Sequence, residues 1–207
     1  MERRKSRNFV FGKNGTPVDK RRARGDRGAT LVEGALVTPL LLLLIFGIFE
    51  FGLAFRDYLT VANGARDGVR TASVAGTELD ADFRTLQSIA DASAALPDDA
   101  IEEIIIFKAT GPGDTPAANC VPLGTCNRYV ASDLQRPVEE FGCHTSTLAP
   151  NAPDRHWCPN TREVSVGTGL DFIGVYVLVN HEYVTGLFGA DVALDDQMIL
   201  KVEPQEN

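Results

Sequence analysis

One uninterrupted apolar segment constrains this chain more than any other feature. Between Ala29 and Phe55 there are 27 residues, and the only charged ones are Glu33 and Glu50. A helix needs about 20 largely apolar residues to cross the hydrocarbon core of a bilayer, so this segment is long enough to span a membrane. A core helix of a soluble protein would carry a polar stripe, which the segment lacks. The sequence therefore predicts one membrane-spanning helix that ends at about residue 55.

The charge of the chain changes sign across this segment. Residues 1–28 contain ten Lys or Arg and three acidic residues, a net charge of +7, whereas residues 29–207 contain ten and twenty-five, a net charge of −15. Basic residues that flank a span stay on the cytoplasmic side. We therefore expect a single-pass membrane protein with a cytoplasmic N-terminus and an extracytoplasmic C-terminal domain. Because that domain is acidic, it argues against a nucleic-acid partner, which needs a clustered basic face.

Two simpler explanations of the apolar segment compete with a processed membrane helix. A cleaved secretory signal would end near Gly52-Leu-Ala54, which resembles a small-residue cleavage site. Against it, the apolar run is longer than a usual signal core, and the helical pattern continues through the supposed cleavage point. An uncleaved single-pass anchor satisfies the hydropathy equally well, so hydropathy alone leaves that alternative open.

Glu33 is a carboxylate near the start of the predicted span, where insertion of a charge costs about 2.5 kcal/mol or more. It should therefore have a partner or a role. A basic leader at residues 1–28 precedes it, and cleavage between Gly28 and Ala29 would make Glu33 the fifth residue of the mature chain. These are the ingredients of a prepilin-type signal. The alternative is a glutamate that only stabilises the positive end of a helix.

Further motifs extend this pattern along the chain. Pro39 lies inside the apolar run, the pair Glu50-Phe51 follows near its end, and Ala62-Asn-Gly-Ala-Arg-Asp-Gly-Val-Arg70 lies past the membrane. In combination with the Gly28/Glu33 spacing, they resemble the TadE-like family of pseudopilins, minor pilin-like components of the Tad (Flp) pilus machinery. The resemblance extends from Gly28 to Ala72. Ala29 departs from it, because pilins often carry Phe or Met at that position.

The resemblance implies a mechanism of processing and assembly. A prepilin peptidase at the cytoplasmic face would cut between Gly28 and Ala29 and expose the amine of Ala29. Glu33 of one subunit would then face the N-terminal amine of a neighbour, which offsets part of the cost of both charges in hydrocarbon. The implied partners are the lipid bilayer, the peptidase, other pilin-like subunits and the Tad inner-membrane assembly platform.

The helical pattern continues beyond the membrane. Apolar and small residues recur at helical spacing up to Ala72, and Gly76 follows as a predicted C-cap. A helix over residues 29–75 would be about 70 Å long, so its second half must project outward. Gly64 and Gly68 form a small-residue row beside Arg66 and Arg70. This row would pack either against the protein's own domain or against another subunit.

Residues 76–207 are predicted to form an extracytoplasmic α+β domain with a small, mostly antiparallel sheet. An amphipathic helix is expected between Thr77 and Pro97. The residues enriched in β-branched side chains predict strands at Ile101–Ala109, Glu163–Thr168, Phe172–His181 and Met198–Val202.

A long insertion at residues 110–161 holds seven of the eleven prolines and all four cysteines of the chain: Cys120, Cys126, Cys143 and Cys158. Outside the cytosol, four cysteines are expected to form two disulfides. Proximity favours the pairs Cys120–Cys126 and Cys143–Cys158 among the three possible connectivities. Zinc is the rival interpretation, because His144 and His156 neighbour two of the cysteines, but the spacing of Cys120 and Cys126 is unusual for structural zinc.

The sequence contains no recognisable catalytic motif. His181-Glu182 lacks the second histidine of a zinc-protease motif, and neither a nucleophile elbow nor a phosphate-binding loop occurs. We therefore predict a non-enzymatic pseudopilin without cofactor or metal, which displays its outer domain for contact with partners or surfaces. The alternative is an uncleaved, membrane-anchored binding protein whose disulfide-bonded insertion, residues 110–161, recognises a ligand. A membrane-anchored enzyme is a third possibility, without positive support.

Overall fold

The computed structural model describes residues 22–97, 99–143, 152–167 and 169–204, with side chains from residue 28 onward. Most of the basic leader, residues 144–151 of the insertion with His144, and Thr168 lie outside the described residues. The chain divides into two compact units, Met1–Ile48 and Phe49–Asn207.

Helix α1 spans Arg22–Ala75 and contributes to both units. In the first unit its large apolar side chains are exposed, from Leu31 to Ile48. The helix continues through Pro39, so the melted turn that proline could cause is not seen there. Among the described helices, α1 alone is long and apolar enough to cross a membrane. This finding indicates a single-pass membrane protein.

The second unit is an α+β domain, which confirms the predicted fold class. After α1, which is capped by Gly76 at a positive φ of 53° as predicted, the chain forms α2 (Ala81–Ala92). The elements that follow are β1 (Ile101–Ala109), the short α3 (Cys120–Leu123), β2 (Cys126–Tyr129), β3 (Phe172–Glu182) and β4 (Asp191–Lys201). All three strand pairings are antiparallel, in the order β2-β1-β3-β4.

The main core lies where the second half of α1 and α2 pack on one face of this sheet. Alternate residues of β1 and β3 point into it, as the two-residue period of a strand requires. Its fully buried members include Val61, Ala65, Val69, Ala72, Leu86, Ile89, Ile104, Ile106, Val175 and Val177. The opposite face carries a smaller cluster around Phe107 and the Cys120–Cys126 disulfide.

The predicted strand at Glu163–Thr168 is wrong over its described residues, which form irregular loop at 163–165 and a turn at 166–167. The N–H of Ser165 donates to the Glu163 carboxylate at 3.0 Å, and the N–H of Gly169 donates to the Ser165 carbonyl at 3.1 Å. Such local hydrogen bonds compete with strand pairing. In addition, both edges of β1 are already occupied, by β2 and β3.

The sequence prediction missed β2 and shortened β4. β2 contains only four residues inside the Pro-rich insertion, and its buried Asn127 is atypical of a core strand. β4 begins at Asp191, seven residues before the predicted start at Met198, and includes Asp195 and Asp196. Charged residues are tolerated there because β4 is an edge strand of the sheet.

Candidate assembly site

The second half of α1 presents two different faces. Ala65, Val69 and Ala72 are buried in the core that α1 forms with the sheet and α2, while Phe51, Phe55 and Tyr58 of the same helical stripe are exposed. The stripe therefore changes role along the helix. Near the predicted membrane its aromatic side chains remain available for lipid or another subunit, whereas further on it belongs to the core of the domain.

The two glycines singled out in the sequence lie against α2. A Cβ atom placed on Gly68 would be 2.6 Å from Cγ1 of Ile89, and one placed on Gly64 would be 3.0 Å from Oγ of Ser93. Absence of a side chain at these positions thus allows α1 and α2 to approach closely. Own-domain packing, one of the two alternatives, is the arrangement that the structure contains.

Arg66 and Arg70 lie on the exposed side of α1. They project from the same stretch of helix as the two glycines but face away from α2. Their positive charges are therefore available at the surface of a domain that is otherwise strongly acidic.

Glu50 fastens the domain to the membrane-proximal part of α1. Its side chain is fully buried, and its two oxygens accept hydrogen bonds from the backbone N–H groups of Val184, at 3.0 Å, and of Thr185. These donors belong to the turn between β3 and β4, residues 183–190, which we call the hairpin tip. A carboxylate in an apolar segment needs such partners. Phe51 adds a ring contact with Phe188 of the tip, with 5.1 Å between centroids.

Two further contacts fix α1 along the sheet. About two helical turns beyond Glu50, the buried Asp57 and His181 are joined by a hydrogen bond of 2.7 Å between Oδ2 and Nδ1. Near the end of α1, the hydroxyl of Ser73 donates to the carbonyl of Lys201 at 2.6 Å, and the N–H of Glu203 donates to the Ser73 carbonyl at 3.0 Å. The domain is thus attached to α1 at three positions along the helix: Glu50, Asp57 and Ser73.

A buried polar network ties the Cys/Pro-rich insertion to α2. Asp82, which is fully buried, accepts hydrogen bonds from the Tyr129 hydroxyl at 2.5 Å and from the Asn127 amide at 2.8 Å. It also forms an ion pair with Arg162, whose side chain is fully buried. The Arg162 guanidinium stacks on Trp157 at 4.7 Å from the ring centroid. One carboxylate therefore joins three segments of the domain.

Burial changes the acidity of two groups in and beside this network. Burial, together with the nearby Asp82 carboxylate, holds the pKa of the Tyr129 hydroxyl well above its usual range. The hydroxyl therefore stays protonated and remains a donor to Asp82. Burial also raises the pKa of Asp154, although the N–H of Gly142 donates to it at 2.7 Å.

The structure joins the four cysteines as Cys120–Cys126 and Cys143–Cys158, the pairing favoured by proximity. Cysteines in disulfides cannot supply thiolate ligands, so the zinc interpretation finds no support. Among the described residues, no group of three or more His, Cys, Asp or Glu side chains is arranged to hold a metal ion. The insertion is anchored by its own aromatic residues, since Tyr129, Phe141 and Trp157 are part of the main core.

Gly28, Ala29 and Glu33 all lie on α1 with exposed surfaces. Glu50, the other charge in the apolar run, was missed as a site residue, although a carboxylate in such a segment needs a partner as Glu33 does. Its position near the end of the run is the signal that indicates a contact from the outer domain. The Asp57–His181 pair gave no signal, because 124 residues separate its members.

These elements define a class: a single-pass membrane protein whose α+β domain is built on the continuation of its own membrane helix. A family model described as TadE-like protein matches residues 28–70, about a fifth of the chain. No curated protein and no solved structure gives a significant match. The resemblance predicted from the motifs is therefore confirmed, and residues 28–70 are a TadE-like segment.

At the level of the family, this segment supports a Tad pilus-associated pseudopilin, which is a structural rather than a catalytic class of protein. The matched residues contain the apolar run, Glu50 with its hairpin contact, and the glycines that face α2. The outer part of the domain, including the disulfide-bonded insertion, lies beyond the match.

Proposed function

We propose that this chain is a minor pilin or pseudopilin of a Tad (Flp) pilus or secretion apparatus. The observation that carries the proposal is the TadE-like match over residues 28–70, the part of α1 that combines exposed apolar side chains with attachment of the domain. In this role α1 holds the subunit in the membrane with its N-terminus in the cytoplasm. The outer domain is then displayed for contact with partners or surfaces.

Processing is the first step of the proposed role. A prepilin peptidase would remove the basic leader at the bond between Gly28 and Ala29, which changes the net charge of the subunit from −8 to −15. The domain organisation that follows is a leader at residues 1–28, the helix at 29–75 with its span to about residue 55, and the displayed domain at 76–207.

Assembly would then depend on the exposed surfaces of α1. The amine of Ala29 and the carboxylate of Glu33 lie one helical turn apart, so each could pair with its counterpart on a neighbouring subunit. Because α2 of the same chain covers Gly64 and Gly68, packing between subunits would use the opposite side, where Arg66 and Arg70 are exposed. Their charge suits the acidic domain of a neighbour. The Tad inner-membrane platform is the expected partner during assembly.

Substitution of Glu33 tests the subunit role. In cells that lack the chain, surface piliation should be lost and should return when the wild-type chain is supplied. Glu33→Gln should insert into the membrane normally but restore about tenfold fewer pili, the ratio expected if about 1.4 kcal/mol of pairing energy is lost. The matched control is Glu102→Gln, which makes the same chemical change at an exposed site on β1.

Piliation is measured by electron microscopy and by the amount of pilin sheared from the cells. If cells without the chain remain fully piliated, the pseudopilin role is wrong. If Glu33→Gln restores pili as well as Glu102→Gln does, the role can stand, but the charge pairing at Glu33 does not contribute to it.

A further inference from the structure

The hairpin tip, residues 183–190, exposes three large apolar side chains. Val184 is 69% exposed, Leu187 53% and Phe188 42%. These three large side chains occur within five consecutive residues. Contiguous exposed apolar surface of this kind marks a site of contact with another molecule or with a membrane.

The tip lies beside the membrane-proximal end of α1. Its backbone N–H groups at Val184 and Thr185 bind the Glu50 carboxylate, and its Phe188 ring contacts Phe51. Phe51 and Phe55, one helical turn further on, are themselves exposed. The apolar surface is therefore continuous from the tip to the helix. We call these residues, Phe51, Phe55, Val184, Leu187 and Phe188, the tip patch.

The position of this contact along α1 indicates which molecule covers the tip patch. The apolar run continues to Phe55, five residues beyond Glu50, which corresponds to about 7 Å along a helix. A bilayer that covers the run therefore reaches past the level at which the tip meets α1. Amphipathic elements that lie at a membrane surface bury their apolar side to a similar depth of about 5–10 Å.

The distribution of charge around the tip also indicates that a bilayer covers the tip patch. The tip sequence Tyr-Val-Thr-Gly-Leu-Phe-Gly-Ala contains no charged residue, although the domain around it is strongly acidic and Glu182 and Asp191 flank the tip directly. Tyr183 belongs to the residue types that are enriched where hydrocarbon meets water. A neutral apolar tip with charges kept at its base matches the polarity gradient of a bilayer interface.

We propose that the hairpin tip inserts into the interfacial region of the bilayer and so gives the outer domain a second membrane contact beside α1. The tip and the helix then enter the membrane as one unit, held together by Glu50. The inference requires the membrane span but not the pilus role.

Photo-crosslinking of the full chain tests this proposal. Benzoylphenylalanine is introduced at Phe188, and in a second variant at Leu187, and each chain is reconstituted in vesicles of phosphatidylcholine and phosphatidylglycerol. The matched control carries the same probe at Leu123, an equally apolar residue that is 61% exposed elsewhere on the domain. Adducts to lipid and to protein are separated by mass spectrometry.

Lipid adducts at positions 187 and 188 should exceed those at 123 by about tenfold or more, because a tip inside the interfacial region keeps the probe in contact with lipid. Lipid labelling at the tip that equals labelling at position 123 would overturn the proposal. Predominant crosslinks from the tip to a second copy of the chain would overturn it as well, since they would identify the tip patch as a contact between subunits.

Discussion

Replacement of Arg162 by Met should lower the free energy of unfolding of the outer domain by about 3–5 kcal/mol, the usual cost of removing one partner of a buried ion pair. The Asp82 carboxylate would stay buried with the Tyr129 hydroxyl and the Asn127 amide as its remaining donors. Neither donor carries a positive charge. The measurement is urea unfolding of the full chain in detergent micelles, followed by Trp157 fluorescence.

The matched control for this variant is Arg84→Met. Arg84 also pairs with carboxylates, those of Glu78 and Asp80, but its side chain is 48% exposed. Exposed ion pairs contribute about 1 kcal/mol or less, so the control should unfold almost as the wild type does. The double variant Asp82→Asn/Arg162→Met should recover part of the loss, because it leaves no unpaired charge. Equal stabilities of Arg162→Met and Arg84→Met would show that the buried network does not hold the insertion in place.

Replacement of Glu50 by Leu should release the hairpin tip from α1. Two backbone N–H groups, at Val184 and Thr185, would lose their carboxylate acceptor. Because a hydrogen bond to a charged group is stronger than one between neutral groups, these two amides should exchange with solvent about tenfold faster or more. Hydrogen–deuterium exchange of the full chain in lipid nanodiscs measures the effect directly.

Glu50→Gln provides the graded comparison, because the amide retains one acceptor oxygen and should give an intermediate exchange rate. Amides in the centre of β1, such as that of Ile105, serve as an internal reference and should exchange at the wild-type rate in both variants. If the amides of Val184 and Thr185 exchange in Glu50→Leu as slowly as in the wild type, Glu50 does not hold the hairpin tip against α1.

Local patterns in the sequence predict much of this fold. The apolar run and the helical stripe locate α1, Gly76 marks its end, and the β-branched run gives β1 with its observed bounds, Ile101–Ala109. The fold class follows from these elements. Close spacing in the sequence also favours the observed disulfide pairs, whose members are 6 and 15 positions apart.

Contacts between residues far apart in the sequence were not predictable in this way. Glu163–Gly167 has the composition of a strand, but no sequence pattern shows that both edges of β1 are already paired. The hairpin contacts of Glu50 and Asp57 join residues more than 120 positions apart. A single sequence gives the cost of a carboxylate in an apolar segment but does not give the donor that offsets it.

The mature N-terminus shows whether the chain functions as a processed TadE-like subunit. We predict that protein recovered from pilus-forming cells begins at Ala29, as determined by mass spectrometry, and that Gly28→Ala retains the leader. Protein that begins at Met1 in cells with an active prepilin peptidase would contradict the claim and favour an uncleaved anchor. A mature chain that begins at Phe55 would instead show removal of a secretory signal.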